Sequence, residues 1–159
     1  MVEHPIDPVF NGDSKILILG SFPSQKSREQ MFFYGHPQNR FWRVLATVFG
    51  CAEPHTVAEK RTFLLSHGVA VWDVIASCDI VGSADSSIKN VVPNDLSIIL
   101  SVADIKAIFV NGKTAEKYYN KYLKNVVGRE AVCLPSTSPA NAAWSFERLV
   151  RQWRIIGQY

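Results

Sequence analysis

Lys15-Ile16-Leu17-Ile18-Leu19-Gly20, followed at once by Ser21-Phe22-Pro23-Ser24, is the stretch that decides the fold. A short, unbroken apolar run closed by glycine and a turn predicts a strand covered on both faces. Three similar runs lie downstream: Val69-Ala70-Val71-Trp72-Asp73, Ile105-Lys106-Ala107-Ile108-Phe109-Val110 and Ala131-Val132-Cys133-Leu134. Each ends in polar or turn residues, as covered parallel strands do.

Helical patterns separate these strands. After Asn39, the residues Phe41, Trp42, Leu45, Val48 and Phe49 share one face at 3.6-residue spacing, with Asn39 as N-cap. Thr56 and Glu59 form a capping-box pattern ahead of Phe63-Leu64-Leu65, and Gly68 stops that helix. Asn94 is placed to cap a short helix through Leu100. Further helices are expected over residues 114–123 and 140–155, the last burying Ala142, Phe146, Leu149, Val150 and Trp153. Alternating strands and helices predict an α/β fold, a three-layer αβα sandwich around a mostly parallel four-stranded central sheet, with residues 1–159 as one domain. Right-handed crossovers place the strand C-termini along one edge, where such folds bind ligands. Residues 1–14, 21–38 and 78–93 lack these patterns and read as mobile loops.

Composition narrows the function classes. The 159 residues are 47% hydrophobic and 19% charged, which suits one compact core. No apolar run approaches the ~20 residues of a membrane helix, and the N-terminus lacks signal-peptide regions. A cytoplasmic or nucleoid-associated protein is expected. Cys51, Cys78 and Cys133 are odd in number and far apart, so no disulfide framework, metal site or other cofactor is expected. A net charge of +3 permits a nucleic-acid partner without arguing for one unaided.

Two segments at strand ends are built for a site rather than for packing. One is the Gly20-Ser21-Phe22-Pro23-Ser24 turn leading to Phe32-Phe33-Tyr34-Gly35-His36-Pro37-Gln38-Asn39-Arg40-Phe41-Trp42, and the other is Leu134-Pro135-Ser136-Thr137-Ser138-Pro139-Ala140-Asn141. Taken in order, GSFPS, FYGHPQNRFW and LPSTSPAN resemble the motifs of the hypoxanthine-DNA glycosylase family within the uracil-DNA glycosylase superfamily. Mismatch-specific uracil-DNA glycosylases share a similar HP-x-NRFW block. Val71-Trp72-Asp73-Val74-Ile75 and Val110-Asn111-Gly112-Lys113 also resemble family blocks, so the likeness runs through most of the chain.

The resemblance implies a monofunctional glycosylase that extrudes a deaminated base, chiefly hypoxanthine, from damaged DNA and hydrolyses its N-glycosidic bond. It places Asn39 as the catalytic residue, whose amide orients water or hydrogen-bonds the departing base, although the same side chain also reads as a helix cap. Phe22 and Tyr34 fall at base-binding positions, Tyr34 as the ring that stacks on the flipped base. Phe32 and Phe33 either line the same loop or plug the core. Asp73 reads a purine N–H or caps a turn, and Asn111 is a pocket residue or an N-cap. His36 fixes its loop through a hydrogen bond rather than acting as an acid, and Arg40 packs or pairs beneath the motif. Ser136, Thr137 and Ser138 are expected to grip phosphates at the start of the last helix, with Asn141 steadying the loop or touching the backbone. Ser24 and Lys26 are further DNA-contact candidates, Ser24 competing with a local turn role. The chain departs from uracil-excising families at Phe22 and Leu134, where polar groups are replaced by apolar ones.

Alternatives remain open at this point: a mismatch-specific uracil or thymine glycosylase, or a DNA-binding module with this fold and no hydrolysis. An unrelated Ser-His-Asp hydrolase lacks its G-x-S-x-G elbow. No amine suited to Schiff-base chemistry lies in the motifs, and a monomer is expected.

Overall fold

The computed structural model describes residues 1–159. Its centre is a sheet of four strands, β2 (Ile16–Gly20), β3 (Val69–Asp73), β6 (Ala107–Asn111) and β7 (Val132–Leu134), in the order β3-β2-β6-β7. All three ladders are parallel, with Ile16 beside Val69 and Ala107, and Asn111 beside Leu134. Every residue of β2 and β3 is buried, which explains why they read as continuous apolar runs rather than as alternating ones.

The first crossover, from β2 to β3, contains α1 (Gln25–Gln30), α2 (Phe41–Phe49) and α3 (Val57–Ser66). The chain then passes α4 (Ser97–Leu100) and returns across β2 to β6. From there it continues outward through α5 (Lys113–Tyr118), a π-helical turn and α6 (Lys124–Val127) to β7. The two halves wind in opposite directions, so right-handed crossovers put α2 and α5 on opposite faces. The last helix, α7 (Phe146–Trp153), packs on α2, with Phe41 edge-on to Trp153 at 6.0 Å between ring centroids. The αβα expectation holds, and the reversal places a topological switch point between β2 and β6.

Four expectations need correction. Residues 1–14 and 78–93 are not simply loops: β1 (Val2–Glu3), β4 (Ile75–Asp79) and β5 (Lys89–Pro93) form a second, antiparallel sheet in the order β1-β4-β5. Its β4–β5 ladder shifts register twice, which erases the alternation that would have announced it. Val9 exchanges both backbone hydrogen bonds with Val71 and so covers part of the β3 edge. The last helix begins at Phe146 rather than at 140, because the Ser145 hydroxyl accepts from the Arg148 amide and caps it. Asn94 does not cap α4. Its buried amide donates to the Asp73 carbonyl at 2.9 Å, and Asp95 takes the Ser97 amide instead.

Residues 21–38 also contain structure, since Ser24 caps α1 by accepting from the Ser27 amide. Asn39 stands one position before the formal cap of α2, Arg40, yet its Oδ1 accepts the Phe41 amide at 3.0 Å. The Thr56–Glu59 capping box is present on α3.

Candidate active site

The C-terminal ends of β2, β3 and β6 bring Gly20, Asp73 and Asn111 to one edge beside the switch point. Gly20 is there because nothing larger fits: a Cβ would collide with Asp73 Oδ1 and reach within 3.1 Å of the Tyr34 hydroxyl. The Asp73 carboxylate is buried and pairs through Oδ2 with His4 Nε2 at 2.7 Å, the two side chains being 5% and 4% exposed. His4 Nδ1 accepts the Ile6 amide at 3.2 Å. That bond fixes the tautomer, so the proton sits on Nε2 and is donated to the carboxylate. Asp73 therefore does not cap a turn.

A second constellation joins two loops to the end of β6. Thr137 is fully buried; its hydroxyl donates to Asn39 Oδ1 at 2.9 Å and accepts from Asn111 Nδ2 at 3.0 Å. Its amide donates to Asn111 Oδ1 at 3.0 Å. Asn111 is thus tied to Thr137 and is not an N-cap, since Gly112 occupies the position before α5. Asn39 Oδ1 receives two donors, from Phe41 and Thr137, and one of them is a backbone N–H that only an oxygen can satisfy. The amide orientation is therefore determined, and Nδ2 is left without a protein partner on a half-buried residue. Helix support and an outward-facing donor coexist in one rotamer.

Tyr34 sits in the left-handed region with φ 52°. One face of its ring lies on Phe41, 3.9 Å between centroids and 19° from parallel. Its hydroxyl is buried beside Asn111 but completes no hydrogen bond. Burial first, and then the Asp73 carboxylate, push the phenol well above its ordinary pKa, so it stays protonated. Phe32 and Phe33 are core residues, 2% exposed each. Phe22 is half-buried, edge-on to His4 at 5.8 Å with the Arg28 guanidinium 5.6 Å from its centre.

The DNA-contact expectations divide. Thr137 is corrected: it has no exposed surface, and its amide and hydroxyl are consumed by the two asparagines. Ser136 and Ser138 are half-buried, accepting from the amides of Ser138 and Ala140, respectively. They lie on a loop some residues ahead of α7, so the final helix offers them no N-terminal dipole. Asn141 steadies this loop, donating to the Ser136 carbonyl at 3.0 Å. Arg40 pairs beneath it, reaching the carbonyls of Asn141 and Trp144. His36 Nδ1 accepts the Gln38 amide at 3.1 Å, the loop-fixing role. The Ser24 hydroxyl is taken up locally, donating to Ser27 Oγ, and Lys26 is exposed 3.7 Å from Glu29. Sequence reasoning missed His4 altogether, because a histidine in a short Val-Glu-His-Pro stretch carries no local signal.

A doubly wound α/β domain whose switch point gathers a buried carboxylate, a free amide and an unpartnered phenol belongs to the class of α/β proteins that bind their ligands at the sheet edge. The chain belongs to the uracil DNA glycosylase superfamily, whose family model matches residues 8–156. It is similar to proteins named hypoxanthine DNA glycosylase from two archaea. The Methanosarcina acetivorans protein is 34% identical over 158 residues, 98% of each chain. The Methanosarcina barkeri protein is 32% identical over 143 residues, 89% of each chain. A solution NMR structure of a uracil DNA glycosylase-like protein from M. acetivorans superposes with a TM-score of 0.83 at 30% identity, covering 99% of this chain and 98% of that one.

Proposed function

We propose that this chain is a monofunctional DNA glycosylase that hydrolyses the N-glycosidic bond of hypoxanthine in DNA, acting as one domain over residues 1–159, as a monomer in the cytoplasm or nucleoid. The observation that carries the reading is the Asn39 amide. Its oxygen is held inward by Phe41 and Thr137, which leaves Nδ2 as a fixed donor at the sheet edge. As the C1′–N9 bond breaks, the electron pair stays with the base, and a preoriented N–H donor stabilises that charge more than it stabilises the ground state. Water then adds to the oxocarbenium-like sugar, releasing a proton and leaving an abasic site. Lys26, the one lysine between Gly20 and Trp42, is exposed and close to Glu29, a poor setting for a Schiff-base amine.

Base binding falls to Phe22, Tyr34, Asp73 and Asn111. Ser136, Ser138 and Asn141 present the backbone-facing loop, with Ser24 and Lys26 as outer contacts. Apolar Phe22 and Leu134 leave the catalytic weight on Asn39.

The test is release of free base from duplexes carrying inosine, uracil, xanthine or a thymine mismatch. Hypoxanthine release is expected, and uracil release without it would assign the mismatch reading instead. Asn39→Ala should slow the reaction by about 10²- to 10³-fold. Asn39→Asp keeps an oxygen for Phe41 and Thr137 but sets negative charge where the base anion forms, so it should be at least as slow. Unchanged rates in both variants would remove Asn39 from the chemistry, and DNA binding without base release would favour the non-catalytic reading.

A further inference from the structure

A buried donor and an acceptor flank Gly20, and the Asn39 network uses neither. The acceptor is Asp73 Oδ1, which takes no hydrogen bond in the structure while Oδ2 is held by His4 at 2.7 Å. The donor is the Tyr34 hydroxyl, buried and without a completed partner. A Cβ on Gly20 would meet both, so they border the same space. A buried hydroxyl left unsatisfied is costly, and such a group in a native protein is met by an ordered water, a ligand or a role in chemistry.

Deamination changes a base in a way this pair is suited to sense. Adenine presents an amidine edge, an exocyclic N–H donor beside the N1 acceptor; hypoxanthine presents a lactam, a C6 oxygen acceptor beside an N1–H donor. Both polarities invert. We propose that the Tyr34 hydroxyl and Asp73 Oδ1 read this lactam edge together, the hydroxyl donating to the C6 oxygen and the carboxylate accepting from N1–H, with His4 as the positioning residue that holds the carboxylate. The inference deepens the glycosylase reading above and rests on it.

Adenine in the same place would set its N1 lone pair against the carboxylate and its amino hydrogens against the hydroxyl hydrogen. Uracil, thymine and xanthine carry a lactam edge too, so the pair separates each deaminated base from its parent adenine or cytosine and leaves ring size to the surrounding walls. Guanine shares the edge as well, and its exclusion falls to the side of the pocket facing C2. The C6 oxygen gains charge as the base leaves, so the hydroxyl bond strengthens in the transition state. Burial keeps the phenol protonated, as this role requires. Tyr34 then acts through its oxygen, with the base edge in line with the hydroxyl rather than stacked on the ring, one face of which is already taken by Phe41.

The experiment is single-turnover release of hypoxanthine from an inosine-containing duplex, with thermal unfolding of the same samples. Tyr34→Phe removes one oxygen atom and should slow release by roughly 10- to 100-fold. Its melting temperature should equal or exceed that of the unaltered protein, because an unsatisfied buried donor is deleted. His4→Phe keeps an aromatic ring against Phe22, Phe33 and Trp72 but loses the N–H, and should also be slow. His4→Gln, with a side-chain N–H to offer Asp73, should recover part of the rate, and DNA affinity should hold throughout. Tyr34→Phe within about threefold of the unaltered protein, or slower with a matching loss of stability, overturns the proposal. His4→Phe at full rate overturns the positioning role. No hypoxanthine release by the unaltered protein refutes the glycosylase reading and this proposal with it.

Discussion

Replacing Thr137 by valine tests the claim that Asn39 is held from below. Valine matches threonine in shape, so no cavity opens, and the change isolates the hydroxyl. That hydroxyl donates to Asn39 at 2.9 Å and accepts from Asn111 at 3.0 Å at a site with no exposed surface. Two hydrogen bonds at about 1 kcal/mol each are lost, and the stranded Asn111 amide adds about 1 kcal/mol of unpaid desolvation. The sum, about 3 kcal/mol, corresponds to a fall of roughly 6–12 °C in Tm for a chain of this size. Asn39 keeps only its Phe41 bond and loses the partner that fixes its outward nitrogen, so base release should slow by about tenfold or more. Thr137→Ser supplies the control: it retains the hydroxyl, removes one methyl, and should keep the rate at a cost of about 1 kcal/mol. Differential scanning calorimetry and single-turnover inosine cleavage report the two effects. If Thr137→Val melts within about 2 °C of the unaltered protein and cleaves at its rate, the network does not position Asn39.

Two other perturbations follow from the geometry. Gly20→Ala forces a methyl against Asp73 Oδ1, whose side chain is tied to His4 and cannot swing freely. It should cost about 1–3 kcal/mol and slow base release more than a surface change of equal stability cost, whereas unaltered activity would show that the space beside Gly20 is not the base site. The second is acid. The Asn90 amide first, and then the N-terminal ammonium, hold the Asp79 carboxyl below the ordinary carboxylate range. A pKa lowered in the folded state contributes stability that is present above the unfolded value of about 3.9 and lost as pH falls through the lower folded value. Amide protection in Val2–Glu3 and Ile75–Asp79 should therefore drop before that of the parallel sheet as pH falls below about 4. Simultaneous loss in both sheets would contradict it.

Three strands of the parallel sheet, β2, β3 and β6, were legible because burial on both faces writes them as unbroken apolar runs, whereas the edge strand β7 exposes Val132 and was legible from its apolar Val132-Cys133-Leu134 sequence alone. The helix after Asn39 and the Thr56–Glu59 box were legible because their signals are local. What escaped depends on distant residues. Ala140, Asn141 and Ala142 look like a helix start, yet the loop is held open by Arg40 on the carbonyls of Asn141 and Trp144 and by the Trp153 indole on the Pro135 carbonyl. Nothing within 135–145 announces those bonds. At the site, Asn39, Asp73, Tyr34 and Asn111 were named from motifs. The structural role of Thr137 was hidden, because a hydroxyl-rich loop reads equally as a phosphate grip and as a buried bridge.

The second sheet explains how a residue as near the chain start as His4 enters the site. A two-residue strand has no stability of its own. β1 is held at one end by the Met1 ammonium 3.3 Å from Asp79, along its length by the pairs Val2–Cys78 and Glu3–Ser77, and beyond by the His4 amide on the Ala76 carbonyl. These bonds deliver the imidazole to Asp73, and β4 follows β3 after Val74 alone, so the strand that presents the carboxylate runs directly into the sheet that supplies its partner. A buried carboxylate without that partner would be strongly disfavoured. Docking of β1 and orientation of the Asp73 side chain are therefore coupled: whatever loosens the N-terminal strand also removes the His4 hydrogen bond that holds the carboxylate in place.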